Sequence, residues 1–303
     1  MIVCCGEALV DVLDGAECRS VPGGGPMNAA VAAARLGAPS AFVGRVSTDA
    51  DGELIWGHLQ RNGVDLRACE RGPEPTARAM VSFTPSPSFR FEGDGTADTA
   101  LESAELASLT PGPHIVHGGT LGMFRGRAAD VLAQLAERHR GIVSLDPNVR
   151  PAVITDRQRW DRFHHRWLQA CDLYRASDED LDWIWPRRPA VNCAAELLEG
   201  RTVAVIITRG SDGATVYTTE GAVDVAAPSV AVVDTVGAGD AFVGAVLVSL
   251  WNLLGADRSA LASLGLAEWR SIAERAAVAA AITCTRAGAN PPFAHEVETA
   301  RAR

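Results

Sequence analysis

The chain has 303 residues, 47% hydrophobic and 21% charged, which is enough apolar material for one large α/β core. Its formal net charge of −9 repels a nucleic-acid backbone or an anionic lipid surface, so neither is an expected partner. Seven scattered cysteines, an odd number without a CxxC pair or a histidine at ligand spacing, point to a reduced, cytoplasmic protein without structural zinc.

In chain order, residues 2–5 read as a first strand rather than a leader, because the apolar start lacks a basic flank and runs into Glu7 and Asp11. Pro22-Gly23-Gly24-Gly25-Pro26-Met27-Asn28 reads as a glycine turn opening a helix over 27–36. There the missing side chains let a ligand approach the backbone and Asn28 can bind hydroxyls, although a plain turn explains the run equally well. Residues 41–46 read as a strand and 53–62 as a helix.

Residues 78–84 and 88–92 break the alternation. They flank Pro85-Ser86-Pro87 and set Ala79, Val81, Phe83, Phe89 and Phe91 at period-two positions, the pattern of a hairpin with one apolar face. Paired with residues 8–13, that hairpin predicts a small sheet over one end of the main body, a lid built from segments of about 8–20 and 76–98 within a single 1–303 domain. Further strands follow at 115–117, 141–145 and 203–208, with helices at 125–138, 157–171 and 240–254. Alternating β and α elements predict a mostly parallel sheet flanked by helices.

The strongest chemical signal is Asp234-Thr235-Val236-Gly237-Ala238-Gly239-Asp240, between a β-like run at 230–233 and a long apolar helix. Its two glycines turn the backbone tightly and bring unpaired helix-start N–H groups toward one point, which suits an anion. A carboxylate in that first turn can take the proton of a hydroxyl attacking a phosphoryl group held there. The bland alternative is a glycine turn with Asp240 as a cap.

Together these two segments resemble the signatures of the PfkB, or ribokinase, family of carbohydrate kinases. Gly6–Val12 (GEALVDV), Asp146–Arg150 (DPNVR), Ser177–Leu181 (SDEDL), Thr208–Gly213 (TRGSDG) and Thr285–Pro292 (TRAGANPP) follow in the family's order, and several look most like the fructokinase branch. The resemblance implies a ribokinase-like α/β fold and phosphorylation of a primary hydroxyl of a small sugar, fructose first, by ATP and Mg²⁺, with a monovalent cation such as K⁺ as a further cofactor. It implies Asp240 as base and Gly237, Ala238 and Gly239 as the anion hole. Asp11, Gly24, Gly25, Asn28 and Arg150 fall where the family holds substrate. Thr208, Gly210 and Gly213, with Ser177, fall at the nucleotide.

Two departures stand out. The family's Asn-x-x-Glu reads Ser177-Asp178-Glu179-Asp180, leaving Asp180 to meet Mg²⁺ through water, and the ribokinase lysine is Gly25, so ribose is not implied. Within the class, a 2-keto-3-deoxygluconate kinase would use Arg150 on a carboxylate; outside it stands a sugar or nucleotide sensor without turnover. A homodimer is open. His164-His165 reads as solvated surface without a metal partner, His114 and His117 as strand packing, and Gly118–Met123 lacks the GxGxxG spacing of a dinucleotide site.

Overall fold

The computed structural model describes residues 1–14, 19–82, 88–109 and 112–302. Among them, eight strands form one sheet in the order β14-β13-β12-β11-β10-β9-β1-β4. These are β1 (Ile2–Cys5), β4 (Ser40–Val43), β9 (Ile115–Gly119), β10 (Ile142–Asp146), β11 (Leu173–Ser177), β12 (Ala204–Thr208), β13 (Ala214–Thr218) and β14 (Gly221–Val225). β4 through β12 in that order pair in parallel, and only the β12-β13-β14 edge is antiparallel. The central strands are buried throughout, as short Val- and Ile-rich runs covered on both faces must be.

Alternate residues feed two cores. Ile2 and Cys4 pack with Phe42 toward helices α1 (Gly25–Arg35), α7 (Ala238–Leu254) and α9 (Leu266–Cys284). Val3 and Cys5 pack the other way, with Trp160 and Trp167, toward α3 (Ala128–Arg138) and α4 (Arg157–Ala170). The chain leaves β1 for β4 on one side and later returns to β9 on the other, so β1 and β9 flank the point where strand order reverses. Ligands of doubly wound sheets bind at the carboxyl ends of strands beside that point.

A second sheet, in the order β3-β2-β7-β8, joins β2 (Leu9–Asp14) and β3 (Arg19–Gly23) to the hairpin β7 (Arg78–Ser82) and β8 (Ser88–Glu92). β2 lies parallel to β7, with Val10 opposite Arg78, and β7 and β8 pair antiparallel, with Ala79 opposite Phe91. Phe83 and the turn Pro85-Ser86-Pro87 lie outside the described residues, as do residues 15–18 and the side chains of Val81 and Phe89.

Several sequence expectations are corrected. The strand expected at 41–46 breaks at Gly44, after which β5 (Arg45–Ser47) turns away to pair with β6 (Glu70–Gly72). A Cβ at Gly44 would sit 2.6 Å from the Gly6 carbonyl oxygen, so only glycine lets the chain turn there. The β-like run at 230–233 is irregular, with Val232 and Val233 62% and 66% exposed. The Val233 and Asp234 N–H groups donate instead to the carbonyl of Cys284 at the end of α9, at 2.8 and 3.2 Å. His164 is buried rather than solvated. It shares the inward face of α4 with Trp160, Phe163 and Trp167, stacks on Trp160 at 4.6 Å, and lies 3.2 Å from the Tyr174 hydroxyl. Burial pushes its pKa down to about 3.

Candidate active site

The carboxyl ends of β1, β9, β10, β11 and β12 deliver Glu7, Thr120, the Asp146–Arg150 loop, Ser177 and Thr208 to one face of the sheet. The N-termini of α1 and α7 close that face. α7 begins after Gly237, whose φ of +76° is left-handed, and a Cβ there would strike Ala289 at 2.6 Å. No side chain among the described residues caps α7, and the Ala238 N–H turns back to the Thr235 carbonyl at 3.2 Å. The helix starts two residues before the expected boundary, which puts Asp240 in its first turn.

Asp240 is held from the neighbouring helix. Asn28, in the first turn and a half of α1, donates Nδ2 to Asp240 Oδ2 at 2.8 Å. Helix packing dictates this meeting. One turn further along each helix, Gly244 faces Ala32, and a Cβ on Gly244 would come within 2.6 Å of the Ala32 Cβ. The bare contact lets the two helices cross closely and brings their N-termini together.

The glycines at the start of α1 let neighbouring elements pack closely. Gly24 has φ +116°, and its Cβ would meet the Glu7 carbonyl oxygen at 2.7 Å. A Cβ on Gly25 would meet Thr120 Cγ2 at 2.7 Å, Asn148 Nδ2 at 3.2 Å and Asp240 Oδ1 at 3.4 Å, so these four residues enclose one small space. Asp11, on β2, packs against Gly23. Burial pushes the Asp11 pKa up to about 6, with a push from Asp240 and a counter-pull from Arg150. Burial likewise raises Asp240, against Asn28, Arg150 and Arg175. The exposed Arg150 guanidinium donates to the Val149 carbonyl at 3.0 Å.

The residues expected at the nucleotide form a separate strip. Ser177 and Thr208 lie opposite each other on β11 and β12. Gly210 and Gly213 follow with left-handed φ of +51° and +86°, and a Cβ on Gly213 would overlap the Val225 carbonyl at 2.0 Å. Asp180 is occupied by the fold: Oδ2 accepts from the Ser177 N–H at 2.8 Å and hydroxyl at 2.6 Å, and Oδ1 from the Val149 N–H at 2.7 Å. It closes a capping box at the start of α5 (Asp178–Ile184). Among the described residues, no group of three or more His, Cys, Asp or Glu is placed to hold a metal ion.

Sequence reasoning missed three residues. Arg175, mid-strand in β11 and only 9% exposed, donates Nη1 to Asp146 Oδ2 at 2.7 Å and Nη2 to Thr208 Oγ1 at 2.6 Å. Burial alone would lower its pKa, but Asp146, Asp180 and Asp240 outweigh it and hold the guanidinium above its usual value. Asp146, pushed up to about 6 by burial, also accepts the Asn148 N–H at 3.1 Å. Glu7, 2% exposed, accepts from the Thr120 hydroxyl, from the Gly122 N–H at 2.8 Å and from the Gly25 N–H at 3.3 Å. A charge inside or at the end of an apolar strand was the available signal for all three.

The chain's relatives are consistent among themselves. The profile described as pfkB family carbohydrate kinase matches residues 3–296. A fructokinase from Rhizobium leguminosarum bv. trifolii is 35% identical over 259 residues, covering 82% of this chain and 79% of its own. The crystal structure of a fructokinase from Xylella fastidiosa with bound ATP superposes with a TM-score of 0.92 at 28% identity, covering 100% of this chain and 99% of the other. A fructokinase double mutant from Vibrio cholerae O395, in its fructose, ADP and potassium ion bound form, gives a TM-score of 0.80 at 26% identity, covering 95% and 93%.

Proposed function

Since the chain belongs to the pfkB family of carbohydrate kinases and is an ATP-dependent sugar kinase, we propose that fructose is its acceptor and that Asp240 is the base for the transfer. The observation that carries the assignment of the base is the Asp240 carboxylate, set in the uncapped first turn of α7 and held by Asn28 at 2.8 Å. The fructokinase relatives support the choice of sugar, and Gly25 stands where ribokinases carry a lysine at this point of the signature.

In this reading Asp11 and Asn28 hydrogen-bond sugar hydroxyls, and Gly24 and Gly25 admit the sugar to the backbone. The hydroxyl to be phosphorylated lies between Asp240 and the α7 N-terminus. As it attacks the γ-phosphorus of ATP, its proton passes to an Asp240 oxygen and ADP leaves. The N–H groups of Gly237 and Gly239, with that of Ala238 once it leaves the Thr235 carbonyl, meet the charge gathering on the phosphoryl oxygens, and the Arg175 guanidinium lies 3.2 Å from the Cβ position of Gly239. Arg150, exposed at the rim, faces the product phosphate.

Ser177, Thr208, Gly210 and Gly213 border the nucleotide. Asp180 and Asp146 would be the carboxylates nearest to Mg²⁺ carried in on ATP, which would supply charge neutralisation on the phosphates. The potassium-bound relative supports a monovalent cation as a further cofactor. The β2-β3-β7-β8 sheet serves as a lid that excludes water, alone or against a second copy of the chain. The cysteines among the described residues are free, which suits a cytoplasmic enzyme.

A coupled ADP-release assay across fructose, glucose, ribose, mannose, 2-keto-3-deoxygluconate and nucleosides tests the reading. Highest kcat/KM on fructose supports it. Preference for the keto-deoxy acid reassigns Arg150 to a substrate carboxylate, and binding without turnover makes the chain a sensor.

A further inference from the structure

The opposite end of the sheet holds a cluster of positive charge that the kinase reaction does not use. A cavity of about 420 Å³ is lined by Glu137, Arg138, His139, Arg140, Arg201 and Arg258. It lies at the amino ends of β10, β11 and β12, whereas the catalytic residues stand at their carboxyl ends. Four arginines converge there, from the end of α3, the turn before β12 and the first residue of α8 (Arg258–Leu261), in a chain whose net charge is −9.

Their arrangement is built from below. Asp172, fully buried, accepts from Arg201 Nε at 3.0 Å and Arg258 Nε at 2.6 Å, and its other oxygen takes the Val143 N–H at 2.9 Å. One carboxylate therefore fixes two guanidiniums and neutralises one. Both keep part of their side chains exposed, 29% for Arg201 and 43% for Arg258. The carboxylate on the rim is engaged elsewhere: both oxygens of Glu137 accept from Arg166, at 2.7 and 3.1 Å. Arg138 and Arg140 are exposed and enter no ion pair among the described residues. A second cavity, of about 470 Å³, shares His139 and Arg140 and continues over Leu106, Leu109 and Pro113, so an apolar surface adjoins the basic one.

We propose that this cavity is a second anion site, separate from the catalytic one, that binds a phosphomonoester of a small organic molecule. Guanidinium forks match phosphate oxygens in pairs, and a buried carboxylate that holds two of them in place removes the cost of ordering them. The volume is in the range of small-ligand sites, about 300–1,000 Å³, and exceeds what a single inorganic ion fills. The neighbouring apolar surface suits the carbon skeleton that carries the phosphate.

The test uses the full chain with its catalytic face saturated by fructose and MgADP, and glycerol 3-phosphate as the probe. Hydrogen exchange is followed with and without the probe, in the wild type and in the double variant Arg138→Ser/Arg140→Ser. Neither arginine is paired, so the variant is expected to fold, and its unchanged melting temperature checks that. The expected result is saturable slowing in residues 138–142, 200–203 and 256–260, with affinity at least about tenfold weaker in the variant. Inorganic phosphate should compete at the same segments but bind more weakly, because it lacks the carbon skeleton. The proposal is overturned if these segments do not respond, if the variant responds like the wild type, or if chloride at equal ionic strength has the same effect.

Discussion

Arg175 Nη1 lies 3.2 Å from the point where Gly239 would carry a Cβ, so a buried guanidinium rests against the bare backbone at the start of α7. Asp146 and Thr208 fix that guanidinium from the other side, at 2.7 and 2.6 Å. Arg175→Lys keeps the charge but cannot span both partners and the glycine at once. We expect kcat to fall by about 10²-fold, the scale of losing one charge-stabilising donor, with the sugar KM little changed. Wild-type kcat in this variant would make Arg175 purely a strut for Asp146.

The base assignment is tested by Asp240→Asn, which keeps shape and the contact with Asn28 but cannot take a proton. Steady-state assays should show kcat lower by about 10²–10⁴-fold at similar KM for ATP. Asp11→Ala should instead raise the sugar KM, by an amount matching about 1–3 kcal/mol per lost bond, and Asn28→Ala should raise it too while lowering kcat, because the bond to Asp240 is lost with it. Unchanged sugar affinity in both, measured by calorimetry, would move the sugar site elsewhere.

The pH dependence follows from the same carboxylates. Asp11 is raised to about 6, and Asp240 is raised as well. Asp240 works as a base only when ionised, so kcat/KM should fall at acid pH, starting above the ordinary carboxylate range, and level off at higher pH. The Asp240 charge pushes the Asp11 titration upward, and the same repulsion acts in return on Asp240. Asp11→Asn removes that repulsion, so the acid limb of the pH–rate profile should move to lower pH. A limb that stays in place would separate Asp11 electrostatically from the base.

Motif and periodicity made much of this readable in advance. The glycine runs before α1 and α7 are local signals, because a left-handed φ at Gly237 or a close approach at Gly24 admits only glycine. What brings Asn28 to Asp240 across 212 positions is the Gly244–Ala32 crossing, and nothing local in GAVLV announces a partner helix. Arg175 in LYRAS is visible as a charge in an apolar run, but its partners come from β10 and β12, so its purpose emerges only once strand order is known. His164 was misread because one polar residue can join an apolar helix face when an aromatic neighbour and a hydroxyl receive it.

The helix crossing yields its own prediction. Gly244→Val puts side-chain atoms where Ala32 Cβ, Ala29 O and Ala33 N already stand, at 2.6, 3.3 and 3.3 Å from a Cβ. Overpacking of this kind costs about 1–3 kcal/mol, read as a lower urea midpoint at constant m-value. It should also lower kcat, because α7 moves away from α1 and Asp240 loses its hold on Asn28. Loss of stability without loss of kcat would show that the hydrogen bond is not needed to place the base.

Glu7 links stability to pH in the opposite sense from the surface carboxylates. It is 2% exposed, and burial pushes its pKa up from 4.5 to about 7, against hydrogen bonds from Thr120 and Gly122 that favour the charged form. Asp98 adds a smaller push in the same direction as burial. Between these two values the folded chain holds a proton that the unfolded chain has released. Stability from this residue is therefore fully present below about pH 4.5 and is lost as pH rises toward about 7. The span corresponds to about 3 kcal/mol at most. Glu7→Gln cannot titrate, so its stability should not fall over that window for this reason. Urea unfolding at pH 5 and pH 8 isolates the effect, because contributions from all other groups cancel in the difference between variant and wild type. The wild type should lose stability relative to the variant by an amount approaching about 3 kcal/mol between the two pH values. A difference that stays constant would mean that Glu7 is ionised throughout, and that the Thr120, Gly122 and Gly25 donors outweigh burial at the point where strand order reverses.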